Sequence, residues 1–304
     1  MVTPLRLMVL GAVILLGAST MAIATGKRST ARDFAAAADP DHPTDAAEWI
    51  DCPEGFEAIA GRGCLALAGS AGPLVIYLHG LYELGAPQEE MDRQVRLAKH
   101  TKALGYSLLA LRGRVGACSD PNFKNFVCWP SNETTQDAGA GVVNEWATAL
   151  RIAEERSGHG KRYVVGFSNG GFFAGLIAMH ALLPFDALAV GHAGTVEPFR
   201  PLGAKPPLLL LSADEDSAQA GMIHFDEVLA REGWPHEVYA REGAHAFTDV
   251  DMNAALTFFQ RIEKGEKPPF SPPLSEHRPT PHAPSPAVTG ATDAAAEQAP
   301  EEDL

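Results

Sequence analysis

The sequence predicts an α/β protein, a mostly parallel sheet covered by helices on both faces. Three observations carry this. Across residues 49–265, short apolar runs bounded by glycine or proline alternate with longer stretches of helical character. The runs are continuous rather than alternating, as strands buried on both faces must be. At the sharpest junction, "KRYVVGFSNGGFFAGLIAMH" (161–180), an apolar strand passes into a helix through a serine boxed by glycines.

Taken in order, residues 55–68 ("GFEAIAGRGCLALA") read as a hairpin turning at Gly61-Arg62-Gly63. "PLVIYLHG" (73–80) is a buried strand ended by glycine. Residues 87–105 form a helix with a proline start and a glycine stop. A strand at 106–111 and one long helix at 137–158 precede the glycine-boxed serine. Strands follow in "FDALAVGHAG", "PPLLLLSAD" and "HEVYARE", with helices near 219–232 and 247–264. Such alternation implies right-handed crossovers, with ligands bound beyond the carboxyl ends of the strands.

The flanks differ in composition. Residues 1–24 carry one early cation, Arg6, an apolar stretch at 7–18 and a small-x-small site at Ala22-Ile23-Ala24. That pattern predicts a cleaved signal peptide rather than an uncleaved membrane anchor, because the stretch is shorter than the ~20 residues of a spanning helix. Residues 25–48 read as a linker. The segment 266–304, rich in proline, alanine and acids, is expected to be a disordered tail. A net charge of -14 argues against nucleic acid and against stable membrane association. Cys52 with Cys64, and Cys118 with Cys128, are expected to pair locally, which suits an exported, oxidising destination. No metal or cofactor is expected, since the chain has no CxxC, HExxH or similar ligand spacing.

Gly166-Phe167-Ser168-Asn169-Gly170 lifts a hydroxyl off a strand tip, and a serine needs an adjacent base to act as a nucleophile. This architecture places an acid and then a histidine downstream. The expected acid is Asp214, first after the run "LLLL", with Asp216 as its rival. The expected base is His245 in "REGAHAFTD", with His236 as the alternative. The backbone N–H groups of Asn169 and Leu81 are expected to hold an oxyanion, Tyr82 being the other choice for the second donor. His79 is expected to brace that loop. The long connection 112–137 emerges at the same end. Tyr82 and Trp129 are expected to line the substrate pocket, with Phe123 and Phe126 as further apolar walls, and Arg112 and Arg114 as possible receivers of an acidic substrate.

The strand-His-Gly motif, "GFSNGG", "LLLLSAD" and "GAHAF", in that order, resemble the serine-esterase branch of the α/β-hydrolase superfamily. "GFSNGG" and Cys128-Trp129 are similar to the secreted poly(3-hydroxybutyrate) depolymerase and feruloyl esterase-like group, and dienelactone hydrolase-like enzymes are similar too. The resemblance implies an α/β-hydrolase fold in one domain with no large lid. It also implies Ser168, Asp214 and His245 as triad, and Leu81 and Asn169 as oxyanion donors. The acid segment departs from the family's Gly-x-x-Asp, carrying Ser212 and a run of acids. The function expected is hydrolysis of a small-molecule or polymeric ester. The alternatives are an acyltransferase or peptidase using the same triad, or a non-catalytic surface-binding module.

Overall fold

The computed structural model describes residues 52–118, 120–131, 136–195, 201, 203–268 and 273–276. The expected signal peptide, the linker and most of the tail lie outside them.

The chain opens with the expected hairpin, β1 (Glu57–Ile59) and β2 (Gly63–Ala66), paired antiparallel. β3 (Leu74–Leu78), β5 (Ser107–Leu111), β8 (Arg162–Phe167), β9 (Ala187–Gly191), β10 (Leu208–Ala213) and β11 (His236–Arg241) complete an eight-stranded sheet in the order β1-β2-β5-β3-β8-β9-β10-β11. From β5 to β11 every pairing is parallel. Such strands need crossover helices, and the sequence supplies them. They are α1 (Gln88–Ala103), α2 (Gln136–Glu145), α3 (Ala147–Ser157), α4 (Asn169–His180), α5 (Gln219–Arg231) and α6 (Asp249–Glu263).

Side chains alternate between two cores. Leu74, Ile76 and Leu78 of β3 face a layer that includes Trp146, Phe173, Ile177 and Phe225. Val75 and Tyr77 face the opposite layer, with Leu97 of α1 and Met252, Leu256 and Phe259 of α6. Continuous apolar strands are thereby satisfied on both sides. α4 is buried almost all round, as a helix with no polar face must be.

Three differences from the sequence reading have local causes. The expected helix over 137–158 is two helices meeting at Trp146, whose fully buried ring meets Trp129 edge-on at 5.4 Å. A second sheet, ordered β4-β7-β6, is built from β4 (Tyr82–Glu83), β6 (Arg114–Val115) and β7 (Phe126–Cys128) inside connections read as loops. Within the expected tail, Leu274–Glu276 forms a 3-10 turn. Leu274 is buried, and its N–H donates to Asp226 Oδ2 on α5 at 2.7 Å. An apolar anchor and a backbone bond tie this stretch to α5 despite its composition. Both expected disulfides are present, Cys52–Cys64 and Cys118–Cys128. Among the described residues, no helix is long and apolar enough to cross a membrane.

Candidate active site

β8 ends in the centre of the sheet, and Ser168 follows it. Its N–H continues the ladder by donating to Gly191 O at 2.9 Å, while its carbonyl accepts from Gly171 and Phe172 to start α4. One residue thus closes a strand and opens a helix. It does so at φ 52, ψ -121, where a side chain is strained. The glycines make room for this turn. A Cβ on Gly166 would lie 2.4 Å from Gly170 O, and one on Gly170 would lie 2.2 Å from Leu78 O.

The hydroxyl of Ser168 lies 2.9 Å from His245 Nε2. His245 sits between β11 and α6, and its Nδ1 is 2.7 Å from Oδ1 of Asp216. The expected acid, Asp214, is not in this chain. Beyond β10 the backbone stays in the ladder, with Asp214 N–H donating to Arg241 O and Glu215 N–H to Gly243 O. The exposed Asp214 side chain accepts from Gly243 N–H at 2.8 Å. Only then does the chain turn, with Ala218 N–H donating to Asp216 Oδ1 at 2.7 Å, and this carries the Asp216 carboxylate inward. His236 is also elsewhere, with its Nε2 at 2.9 Å from Asp226.

Burial would raise the pKa of Asp216, but bonds from His192, His245 and Ala218 outweigh it and hold the carboxyl well below its usual range. An ionised Asp216 only accepts, so His245 donates from Nδ1. Its Nε2 is then free to accept from the serine hydroxyl. The side chain of Asp216 is fully buried, whereas that of His245 is 35% exposed. The chain Ser168–His245–Asp216 therefore has one closed end and one open end.

The opposite flank is the turn after β3. A Cβ on Gly80 would lie 3.3 Å from Ser168 Cβ, so the 79–81 backbone passes directly beside the serine. His79 is buried, which drives its pKa down to about 3. Gly113 N–H donates to its Nε2 at 2.9 Å, so Nδ1 carries the hydrogen and donates to Gly80 O at 2.6 Å. In a planar trans peptide, pinning Gly80 O toward the ring turns Leu81 N–H the other way. Asn169 begins α4, so its N–H has no partner within the helix. Its side chain accepts from Trp129 N–H at 2.7 Å and donates to Ser131 Oγ at 3.0 Å. That tie, unforeseen in the sequence, links the long 112–137 connection to the serine turn.

No protein-family model and no curated protein matches the chain. Solved structures do. The crystal structure of esterase PE8 is 21% identical, covering 68% of this chain and 100% of its own, at a TM-score of 0.50. The Bacillus cereus carboxylesterase is 14% identical, covering 66% of this chain and 93% of its own, at a TM-score of 0.51. The fold is that of the α/β-hydrolases.

Within this α/β-hydrolase fold the expected pocket walls sort differently. Trp129 is fully buried and cannot touch substrate. Its ring stacks on Phe173 at 5.5 Å, and its Nε1–H donates to His79 O at 2.8 Å. Tyr82 remains partly exposed, edge-on to His79 at 4.8 Å, with its pKa pushed up to about 12 by burial. Phe123 and Phe126 pack on each other at 5.1 Å. Arg114 pairs with Glu145, and the guanidinium of Arg112 lies 6.0 Å from the Tyr82 ring. His192, Asp216 and His245 each place a ligand atom within 4.8 Å of the others, close enough for a divalent ion to bridge. In this arrangement Asp216 already bonds both imidazoles, and an ion would have to displace those contacts.

Proposed function

We propose that the protein is an exported serine hydrolase that cleaves carboxylic esters through an acyl-enzyme. The observation that carries this reading is the continuous chain Ser168–His245–Asp216, at 2.9 and 2.7 Å. Ser168 Oγ attacks the ester carbonyl as its proton passes to His245 Nε2. Asp216 fixes the Nδ1–H tautomer and stabilises the imidazolium. The tetrahedral oxyanion is held by the N–H groups of Asn169 and Leu81, each worth about 3 kcal/mol in such a site. His245 then protonates the departing alkoxide, and water repeats the sequence to release the acid.

Two disulfides support an oxidising, exported destination, in line with the leader read in residues 1–24. The two fold relatives named as esterases make esters the first class to assay. The half-open His245 suits esters of modest size or an exposed polymer end. A fluorophosphonate probe tests the reading. Wild type should label and turn over a panel of short, long, aromatic and polymeric esters, and Ser168→Ala should do neither. Labelling that persists in Ser168→Ala would sink the assignment, and unlabelled wild type would leave a binding module. Products formed with competing alcohols or amines would separate hydrolysis from transfer.

A further inference from the structure

Behind Asp216 stands a second histidine. His192 follows β9, is completely buried, and sits at φ 54, a backbone setting in which asparagine is among the better tolerated side chains. Its N–H donates to Leu211 O at 3.0 Å, which ties that backbone to β10. The ring lies between two carboxylates and a guanidinium. Its Nδ1 is 2.5 Å from Oδ2 of Asp216, the oxygen that His245 does not use. Its Nε2 is 3.5 Å from Asp251 Oδ2, to which it donates when protonated, and 3.3 Å from Arg241 Nη2, a donor that it then faces without a hydrogen bond. The ring of His245 is 5.9 Å away, centroid to centroid. Asp216 after β10, Asp251 on α6, Arg241 at the end of β11 and His245 are the charged and titratable groups that face it among the described residues.

Charge balance in this closed space decides what His192 is. Asp251 is paired with Arg241 through Nε, at 2.9 and 3.0 Å. Two carboxylates and one guanidinium leave a net negative charge away from water, which is costly unless compensated. A proton on His192 compensates it. Burial works against that charge, but the bonds to Asp216 and Asp251 outweigh burial and raise its pKa above that of a free histidine.

Resting on the serine-hydrolase reading above, we infer that His192 is a positioning residue which, as an imidazolium, clamps the outer oxygen of Asp216 and shares its charge. The clamp matters because a carboxylate turns easily about its last bond. With Oδ2 held by His192, Oδ1 must face Ala218 N–H and His245. The sharing matters because His245 becomes a second cation on the same carboxylate during turnover. His192 weakens its hold there, so His245 releases its proton more readily to the leaving alkoxide.

Two substitutions separate this from a packing role. His192→Asn keeps an N–H donor near the position of Nδ1, suits the positive φ, and removes the charge. His192→Leu removes both donor and charge. The acid limb of the kcat/KM profile should move to higher pH in His192→Asn by about half to one pH unit. In His192→Leu, kcat should fall about 10- to 100-fold while KM stays within about twofold, and asparagine should recover most of that loss. An acid limb that does not move in His192→Asn overturns the proposal, even if His192→Leu fails to fold. Activity that survives in Ser168→Ala would instead sink the serine-hydrolase reading, a result that involves no change at His192.

Discussion

The two flanks of Ser168 are built from opposite materials. Toward β9, β10 and β11 the serine leans on charge, with Asp216, His192, Asp251 and Arg241 buried in mutual contact. Toward β3 the groups that brace the backbone are neutral, although the guanidinium of Arg93 lies 4.7 Å from the Phe167 ring. There a histidine with its pKa near 3, two tryptophans, a phenylalanine and an asparagine amide lock the backbone by hydrogen bonds and ring contacts. In the proposed mechanism this difference matches the chemistry. The charged flank must host a transient imidazolium and needs counter-charge. The β3 flank must aim N–H groups at a transient oxyanion, and it needs rigidity.

The largest expected effect breaks the charged flank. Asp216→Asn should lower kcat by about 10⁴-fold, as loss of a triad carboxylate does, while Asp214→Asn should stay within about threefold of wild type. Ester turnover checks both, and a crippled Asp214→Asn beside a healthy Asp216→Asn would reverse the assignment. The next effect breaks the β3 flank. Trp129→Ala should cost about 3–5 kcal/mol in urea unfolding, since it empties a fully buried site. Trp129→Phe should cost about 1–3 kcal/mol by leaving the His79 carbonyl without its donor. The smallest effect sharpens the boundary of the site. Arg114 is half-exposed and paired with Glu145. Arg114→Ala should therefore change stability by less than about 1 kcal/mol and leave KM for acidic and neutral esters alike.

The sheet was legible because its central strands are short apolar runs and four of the six helices end on a glycine stop, at Gly105, Gly158, Gly233 and Gly265. The serine turn was legible for a related reason: only glycine permits backbones to approach as closely as Gly166 and Gly170 do. What pattern could not supply was the path after the strands. Asp214 comes first after "LLLL", yet the ladder with the chain beyond β11 runs on past Ala213, so the inward turn falls at Asp216. The signal available was Asp216-Ser217-Ala218 ahead of a helix, an aspartate that can bond the backbone N–H two residues on. Trp129 looked like a pocket wall because its loop emerges at the right end of the sheet. Its burial depends on Phe173 and Trp146, which no local pattern connects to it. His192 and Arg241 carried no signal at all, since their partners lie on other strands and helices.

Ser168 holds a backbone angle that suits glycine better than any other residue. The native chain therefore spends about 1–3 kcal/mol holding a serine at this turn. On the proposed mechanism, exchanging that serine for glycine would yield a sturdier but inert molecule. Thermostability screens blind to turnover would favour the dead version, so selection for robustness in this fold has to be coupled to a substrate.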